Sequence, residues 1–129
     1  RMDPHIRALV AAATFASVTG KKVAGLFDHS AGRDLRIAAE CRGNVLQGLD
    51  GERASKFGGT LPEIFDDGEQ AFVSFERDGA RVKGFDRASG SAFDAQVTDD
   101  LVQVYDHSQA AWFAYDVQDA GSPQSYHRS

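Results

Sequence analysis

The chain has 129 residues and a net charge of −5, with 42% hydrophobic and 26% charged residues. These values are typical of one globular domain that can bury a core, so we treat residues 1–129 as a single domain. The negative charge argues against non-specific binding to nucleic acid and against an anionic membrane surface. No segment approaches the ~20 apolar residues that span a bilayer.

A helix is predicted over residues 3–19. Its boundary signals are a favoured N-cap, a proline at the first helical position and a glycine C-cap: Asp3, Pro4 and Gly20. Apolar residues cover nearly its whole circumference, so the pattern defines no single buried face. Two interpretations follow. Either the helix is fully buried against the sheet, or Ala8, Ala12 and Phe15 form a homodimer contact.

Eight short strands are predicted between residues 21 and 118. They alternate in hydrophobicity and are separated by turn residues: 21–27, 35–41, 45–49, 71–76, 80–85, 91–97, 101–105 and 110–117. The predicted class is mainly β, with the N-terminal helix packed on an antiparallel β-meander of about eight strands. Such a meander can close into a small barrel. Residues 119–129 are predicted to form a polar surface tail.

Residues 51–69 fit this strand pattern least, and we interpret them as a long functional loop. Arg53 and Lys56 supply two cations, while Gly58 and Gly59 can expose backbone N–H groups to an anion. These four residues are therefore predicted to bind a ligand. The competing interpretation is an ordinary flexible surface loop.

An aromatic residue or Leu precedes Asp seven times along the chain. The pairs are Phe27-Asp28, Leu49-Asp50, Phe65-Asp66, Phe85-Asp86, Phe93-Asp94, Tyr105-Asp106 and Tyr115-Asp116. A large apolar residue can end a strand, and Asp can begin a turn by accepting hydrogen bonds from the backbone just after it. The repeat therefore predicts strand ends followed by Asp-led turns.

Two copies of this repeat carry histidine and are the strongest candidates for chemistry. If the strand ends share one rim, Asp28, His29, Asp106 and His107 can coordinate a divalent metal, or a histidine can act as a general base. Adjacent Asp, His and Ser residues cannot themselves form a catalytic triad. The alternative interpretation is that both histidines are exposed turn residues.

Three aromatic residues near the end of the chain are predicted to line a pocket if the sheet closes. They are Tyr105, Trp112 and Tyr115, and packing in the core would explain them equally well. Cys41 is the only cysteine, which indicates a reducing compartment, and we expect the cytoplasm. The sequence predicts no cofactor.

These observations favour a small binding or interaction module over an enzyme, with a small molecule or a protein as partner. No nucleophile–base pair, metal-ligand spacing or phosphate loop rises above background. We predict no nucleic-acid or membrane partner, and a homodimer through the N-terminal helix. The alternative is a small enzyme or metal-binding protein that uses His29 and His107 with Asp28 and Asp106.

Overall fold

The structure, a computed structural model, describes residues 1–119. Within that range the chain forms one helix, α1 (Pro4–Thr19), and eleven strands. The strands are β1 (Val23–Asp28), β2 (Arg33–Leu35), β3 (Ile37–Arg42), β4 (Val45–Asp50), β5 (Ser55–Thr60), β6 (Glu63–Asp66), β7 (Ala71–Asp78), β8 (Arg81–Asp86), β9 (Ser91–Thr98), β10 (Leu101–Asp106) and β11 (Ala111–Asp119). The predicted tail, apart from Asp119, lies outside the described residues.

The sheet is an antiparallel meander that closes on itself. Each strand from β3 to β11 pairs with the next, and β11 pairs with β1 along its length, with Val117 opposite Leu26. One edge of β1 is paired with β11. The other edge is shared by β2 and β3, and there Leu35 also lies opposite Leu26. A ten-stranded barrel results, with β2 as an extra strand. The predicted mainly β class and the barrel are confirmed, although eleven strands form rather than about eight.

The helix α1 lies inside this barrel. Every residue from Ile6 to Ala16 is buried, and the helix contacts both the β1–β3–β4 wall and the β7–β11 wall. A segment that touches opposite walls of a closed sheet must occupy its interior. The predicted homodimer contact through Ala8, Ala12 and Phe15 is therefore wrong, because these side chains are at most 4% exposed within their own chain. Full burial, the alternative interpretation, is confirmed.

The prediction of a long loop over residues 51–69 is wrong, because β5 and β6 form within it. Gly58 is not a chain breaker here: a Cβ at this position would clash with the carbonyl oxygen of Leu46 on the neighbouring strand. Gly59 has a φ of 147°, which side-chain-bearing residues rarely adopt. Gly58 therefore allows close packing of neighbouring strands, and Gly59 allows a local bend within the sheet.

Glycine also makes room for aromatic rings on the inner face of the barrel. A Cβ at Gly48 on β4 would lie inside the ring of Phe57, its partner on β5. The same arrangement recurs on β8 and β9, where Gly84 lies opposite Phe93. Each ring covers the glycine backbone of the adjacent strand and fills the interior beside the helix.

Replacing Gly48 by Ala is expected to lower the free energy of unfolding by about 1–3 kcal/mol, because the added methyl group displaces the Phe57 ring in a filled interior. Urea denaturation measures this loss. In a Phe57→Leu background the same substitution should cost clearly less, since the clashing atoms are gone. An equal cost in the two backgrounds would contradict the proposed ring-over-glycine contact.

Alternate barrel strands end at the same rim, which we call the aspartate rim. The strands β1, β4, β6, β8 and β10 run in one direction and their intervening partners in the other. The N-terminus of α1 lies at this rim, because His5 is 3.6 Å from Glu69 in the turn after β6. Its C-terminus lies at the opposite rim, where Lys21 is 3.9 Å from Asp119.

No helix within residues 1–119 is long and apolar enough to cross a membrane.

Candidate functional site

Five copies of the apolar-Asp repeat form the aspartate rim. The five carboxylates are at most 7% exposed and belong to Asp28, Asp50, Asp66, Asp86 and Asp106. Each accepts a hydrogen bond from a backbone N–H two or three residues later, as Asp28 does from Ser30 at 2.9 Å. The residue four positions after each Asp has a positive φ: Gly32, Ala54, Gln70, Gly90 and Ala110. The predicted strand-end role is confirmed for these five copies.

The two remaining copies of the repeat do not end strands. Asp94 lies within β9 and Asp116 within β11, and both face outward. The sequence pattern could not separate these two copies from the other five. An aromatic residue followed by Asp reads the same whether the Asp points outward and the aromatic residue inward or the reverse. Strand register, which places one face inside, makes the distinction.

Arg53 has a structural role at the aspartate rim. Its Nη1 and Nη2 each donate to an oxygen of Asp66 at 2.9 Å, and its Nε donates to Asp50 at 2.6 Å. Burial alone would lower the pKa of the Arg53 guanidinium, but the carboxylates of Asp66 and Asp50 raise it above its usual value. All three nitrogen atoms of the guanidinium are thus committed to carboxylates. Arg53 does not join the other predicted ligand-binding residues.

A second cation, Arg7 of α1, lies inside the barrel near the aspartate rim. Its Nη1 donates to the carbonyl oxygen of Met2 at 3.0 Å, and its Cζ lies 3.8 Å from the centre of the Phe113 ring. Burial by itself would raise the pKa of Asp106, but hydrogen bonds from Ser108 and Gln109, together with the charge of Arg7, hold it below its usual value. The ionised carboxylate of Asp106 therefore contributes to the stability of the fold.

The two histidines predicted as metal ligands do lie at one rim, but on the outer face. His29 Nε2 lies 3.0 Å from Asp116 Oδ2, and His107 Nε2 lies 2.6 Å from Asp94 Oδ2. The adjacent Asp28 and Asp106 point inward, because successive side chains at a strand end alternate between faces. The four predicted ligands do not converge. Each histidine instead contacts an outward carboxylate on the preceding strand of the barrel.

The predicted aromatic pocket is divided between the two faces of the sheet. Tyr105 and Trp112 lie side by side on the outer face with ring centres 5.0 Å apart, and Trp112 is 53% exposed. Tyr115 points inward and is 1% exposed. Burial, reinforced by the nearby carboxylate of Asp28, raises the pKa of the Tyr115 hydroxyl well above its usual value. Tyr115 therefore belongs to the core, whereas the other two rings form an open surface.

A groove of about 970 Å³ crosses the outer face of the barrel from the start of β1 over β3, β4 and β5 to β6. Small residues open its floor: Ala24, Ala38 and Gly58. Val45 and Leu49 stand beside them and are 47% and 48% exposed. This size is within the range of small-molecule sites, and the apolar walls can be covered by a ligand. We call this surface the outer groove.

Two lysines give the outer groove a positive character. Lys22 and Lys56 line it and are exposed, and neither forms an ion pair with any residue in the range 1–119. The acids in the lining are Glu40, which is 3.2 Å from Arg42, and Asp67. With Glu40 neutralised by its arginine, two lysines outnumber one carboxylate. An anionic group is therefore favoured electrostatically in the groove.

Three of the predicted ligand-binding residues, Lys56, Gly58 and Gly59, line the outer groove together. Sequence reasoning missed its apolar walls, Val45 and Leu49. The signal was present, since both occupy outward positions of β4 where a solvated strand would carry polar residues. It was hidden because β4 also has polar Asp50 and small Gly48 on its inner face, so hydrophobicity does not reveal which side is buried.

Comparison with protein-family models, with curated proteins and with solved structures found no match to this chain.

Proposed function

We propose that this protein is a binding module whose ligand occupies the outer groove. The single observation that carries the proposal is the combination, in one concavity, of exposed apolar walls, a floor of small residues and two lysines that have no ion pair within residues 1–119. Over residues 1–119 the interior of the barrel is occupied by α1. A ligand therefore binds outside the barrel, unlike the ligands of barrels that enclose a cavity.

The chemistry of the lining favours a small organic anion with an apolar body. Val45 and Leu49 provide contact area for the body, and Lys22 and Lys56 attract the charged end. A nucleic acid fits poorly, because the protein carries a net charge of −5. We keep the cytoplasm as the proposed location, since the single cysteine, Cys41, is a free thiol.

Acid–base catalysis is the weaker alternative. The two outer imidazoles are 45% and 49% exposed, and His29 and His107 each contact a different carboxylate across a different strand pair. Within residues 1–119, no contact directs both imidazoles toward one reacting atom, which an enzyme using the pair would require. This separation supports binding over catalysis by these histidines.

Decanoate, a single-chain organic anion, is a suitable probe of the outer groove. In ¹⁵N-resolved NMR titrations we expect it to shift the amide signals of Leu49, Lys56 and Gly58. Lys56→Gln should weaken binding by up to about fivefold, since an exposed ion pair contributes at most about 1 kcal/mol. Ala38→Trp should abolish binding by filling the floor of the groove.

Lys83→Gln is the matched control, because Lys83 is an exposed, outward lysine on β8 and lies outside the groove. It should bind decanoate as the wild type does. Equal losses in Lys56→Gln and Lys83→Gln would point to non-specific charge attraction. Signal shifts confined to another face, or binding that survives Ala38→Trp, would refute the proposed site.

A further inference from the structure

Asp3, His5 and Glu69 form a compact group where α1 enters the aspartate rim. His5 Nε2 lies 3.8 Å from Asp3 Oδ2 and 3.6 Å from Glu69 Oε2. One nitrogen or oxygen atom from each side chain lies within 4.8 Å of the other two. Over residues 1–119 this is the only group of at least three His, Cys, Asp or Glu residues that meets this condition. None of the three belongs to the outer groove.

The imidazole at the centre of this group has an unsatisfied nitrogen. His5 Nε2 is shielded from water and has no hydrogen-bond partner among residues 1–119, although the whole side chain is 29% exposed. The distances to the two carboxylates are too long for hydrogen bonds. A buried nitrogen is rarely left without a partner, because its lost hydration is then uncompensated. The atom instead lies 3.8 and 3.6 Å from one oxygen of each of two carboxylates.

Both carboxylates are directed toward this nitrogen. Asp3 occupies the N-cap position of α1, yet its side chain makes no capping hydrogen bond and lies toward His5 instead. Glu69 is positioned by the aspartate rim, because its backbone N–H donates to Asp66 at 3.1 Å. The local structure thus brings two anionic oxygens to one imidazole nitrogen from separate elements, the start of α1 and the turn after β6.

We propose that Asp3, His5 and Glu69 bind a divalent transition-metal ion. One imidazole nitrogen and two carboxylate oxygens form a ligand set that zinc accepts, whereas magnesium and calcium prefer oxygen alone. A zinc ion about 2.0–2.1 Å from each ligand holds tetrahedral ligands about 3.3 Å apart. The separations of 3.8 and 3.6 Å from His5 Nε2 exceed this by a few tenths of an ångström, and the ligand oxygens of Asp3 and Glu69 lie within 4.8 Å of each other, so side-chain rotations are needed to bring all three ligands onto one ion. The fourth position is left for water.

The electrostatics of the helix do not oppose this site. The N-terminus of α1 carries a partial positive charge of about half a unit, which repels a cation. Two full negative charges from Asp3 and Glu69 outweigh it at closer range. A bound ion would join the start of α1 to the β6–β7 turn and so hold the helix within the barrel.

Zinc titrated into the metal-stripped, full-length protein tests the proposal. Calorimetry is expected to show one zinc ion per chain for the wild type, and zinc should raise the melting temperature. His5→Gln and Glu69→Gln should each weaken binding by more than about tenfold, since each removes a ligand. Cobalt substituted for zinc should give the visible absorption of a tetrahedral site, and this should disappear in His5→Gln.

His107→Gln is the matched control, because it removes an imidazole beside a carboxylate elsewhere at the same rim. It should bind zinc as the wild type does, and far-UV circular dichroism should show all three variants folded. The proposal is overturned if the wild type binds no zinc. It is also overturned if zinc binding is lost in His107→Gln and retained in His5→Gln and Glu69→Gln.

Discussion

Replacing Phe15 by Asp is expected to abolish folding. Phe15 is fully buried in α1, and α1 is itself enclosed by the barrel. The substitution places a carboxylate in an apolar interior where desolvation of the charge costs several kcal/mol or more. It also removes a large side chain from the core, at a cost of about 3–5 kcal/mol. Together these losses match or exceed the 5–15 kcal/mol by which a typical domain is stable.

Circular dichroism, dispersion of amide signals in NMR and resistance to limited proteolysis measure this loss. Phe85→Asp is the matched control, because Phe85 is an outward residue of β8 with 42% of its surface exposed. It should remain folded and lose only about 1 kcal/mol, the range of strand propensities. A folded Phe15→Asp variant would mean that the helix does not lie inside the barrel.

Replacing Arg53 by Met is expected to lower the free energy of unfolding by about 3–5 kcal/mol, because it leaves two buried carboxylates without their cation. The side chains of Asp50 and Asp66 are only 4% and 1% exposed, so water cannot take the place of the guanidinium. Urea denaturation, analysed for both midpoint and slope, measures the change.

Arg36→Met is the control for this prediction. Arg36 also pairs with a carboxylate, that of Glu52 at 3.2 Å, but its side chain is 78% exposed. Such surface pairs contribute at most about 1 kcal/mol, so the midpoint should change little. Similar midpoints for the two arginine variants would show that the rim carboxylates do not depend on Arg53.

Local signals along the chain were sufficient to predict the helix and most strands. The Asp3, Pro4 and Gly20 boundary signals define a helix within one residue of its observed bounds. Alternation and turn residues located the strands after residue 70, where Asp78 pairs with Arg81 across a turn formed by Gly79 and Ala80. These signals act over a few residues, so they do not depend on how distant parts of the chain come together.

The position of the helix depended on information that no local signal carries. Its all-round apolar surface indicated burial, but only pairing of β1 with β11 creates an interior that can contain it. The strands β5 and β6 were missed for a related reason. The glycines that suggested a loop, Gly58 and Gly59, are required by the neighbouring strand and by the backbone conformation at that point.

The candidate sites were predictable only in part. Whether His29 and His107 share a rim depended on the number of strands between residues 50 and 70, which the sequence pattern did not define, and the side of the sheet on which each residue lies follows from register. Successive residues at a strand end point to opposite faces, and this separated the histidines from Asp28 and Asp106. The outer groove and the group around His5 each combine residues from several elements, so their convergence required the tertiary arrangement of those elements.

Enclosure of α1 also constrains the order in which the molecule can form. The helix precedes every strand in the order of synthesis, while β11, which seals the barrel against β1, comes at the far end of the sheet. The nascent helix, which is apolar on all sides, therefore lacks its barrel contacts until nearly the whole sheet has emerged from the ribosome. Late closure by contacts distant in sequence favours slow folding and a period of exposure to aggregation. The sheet therefore has to close around α1, because the helix cannot insert into a barrel that has already closed.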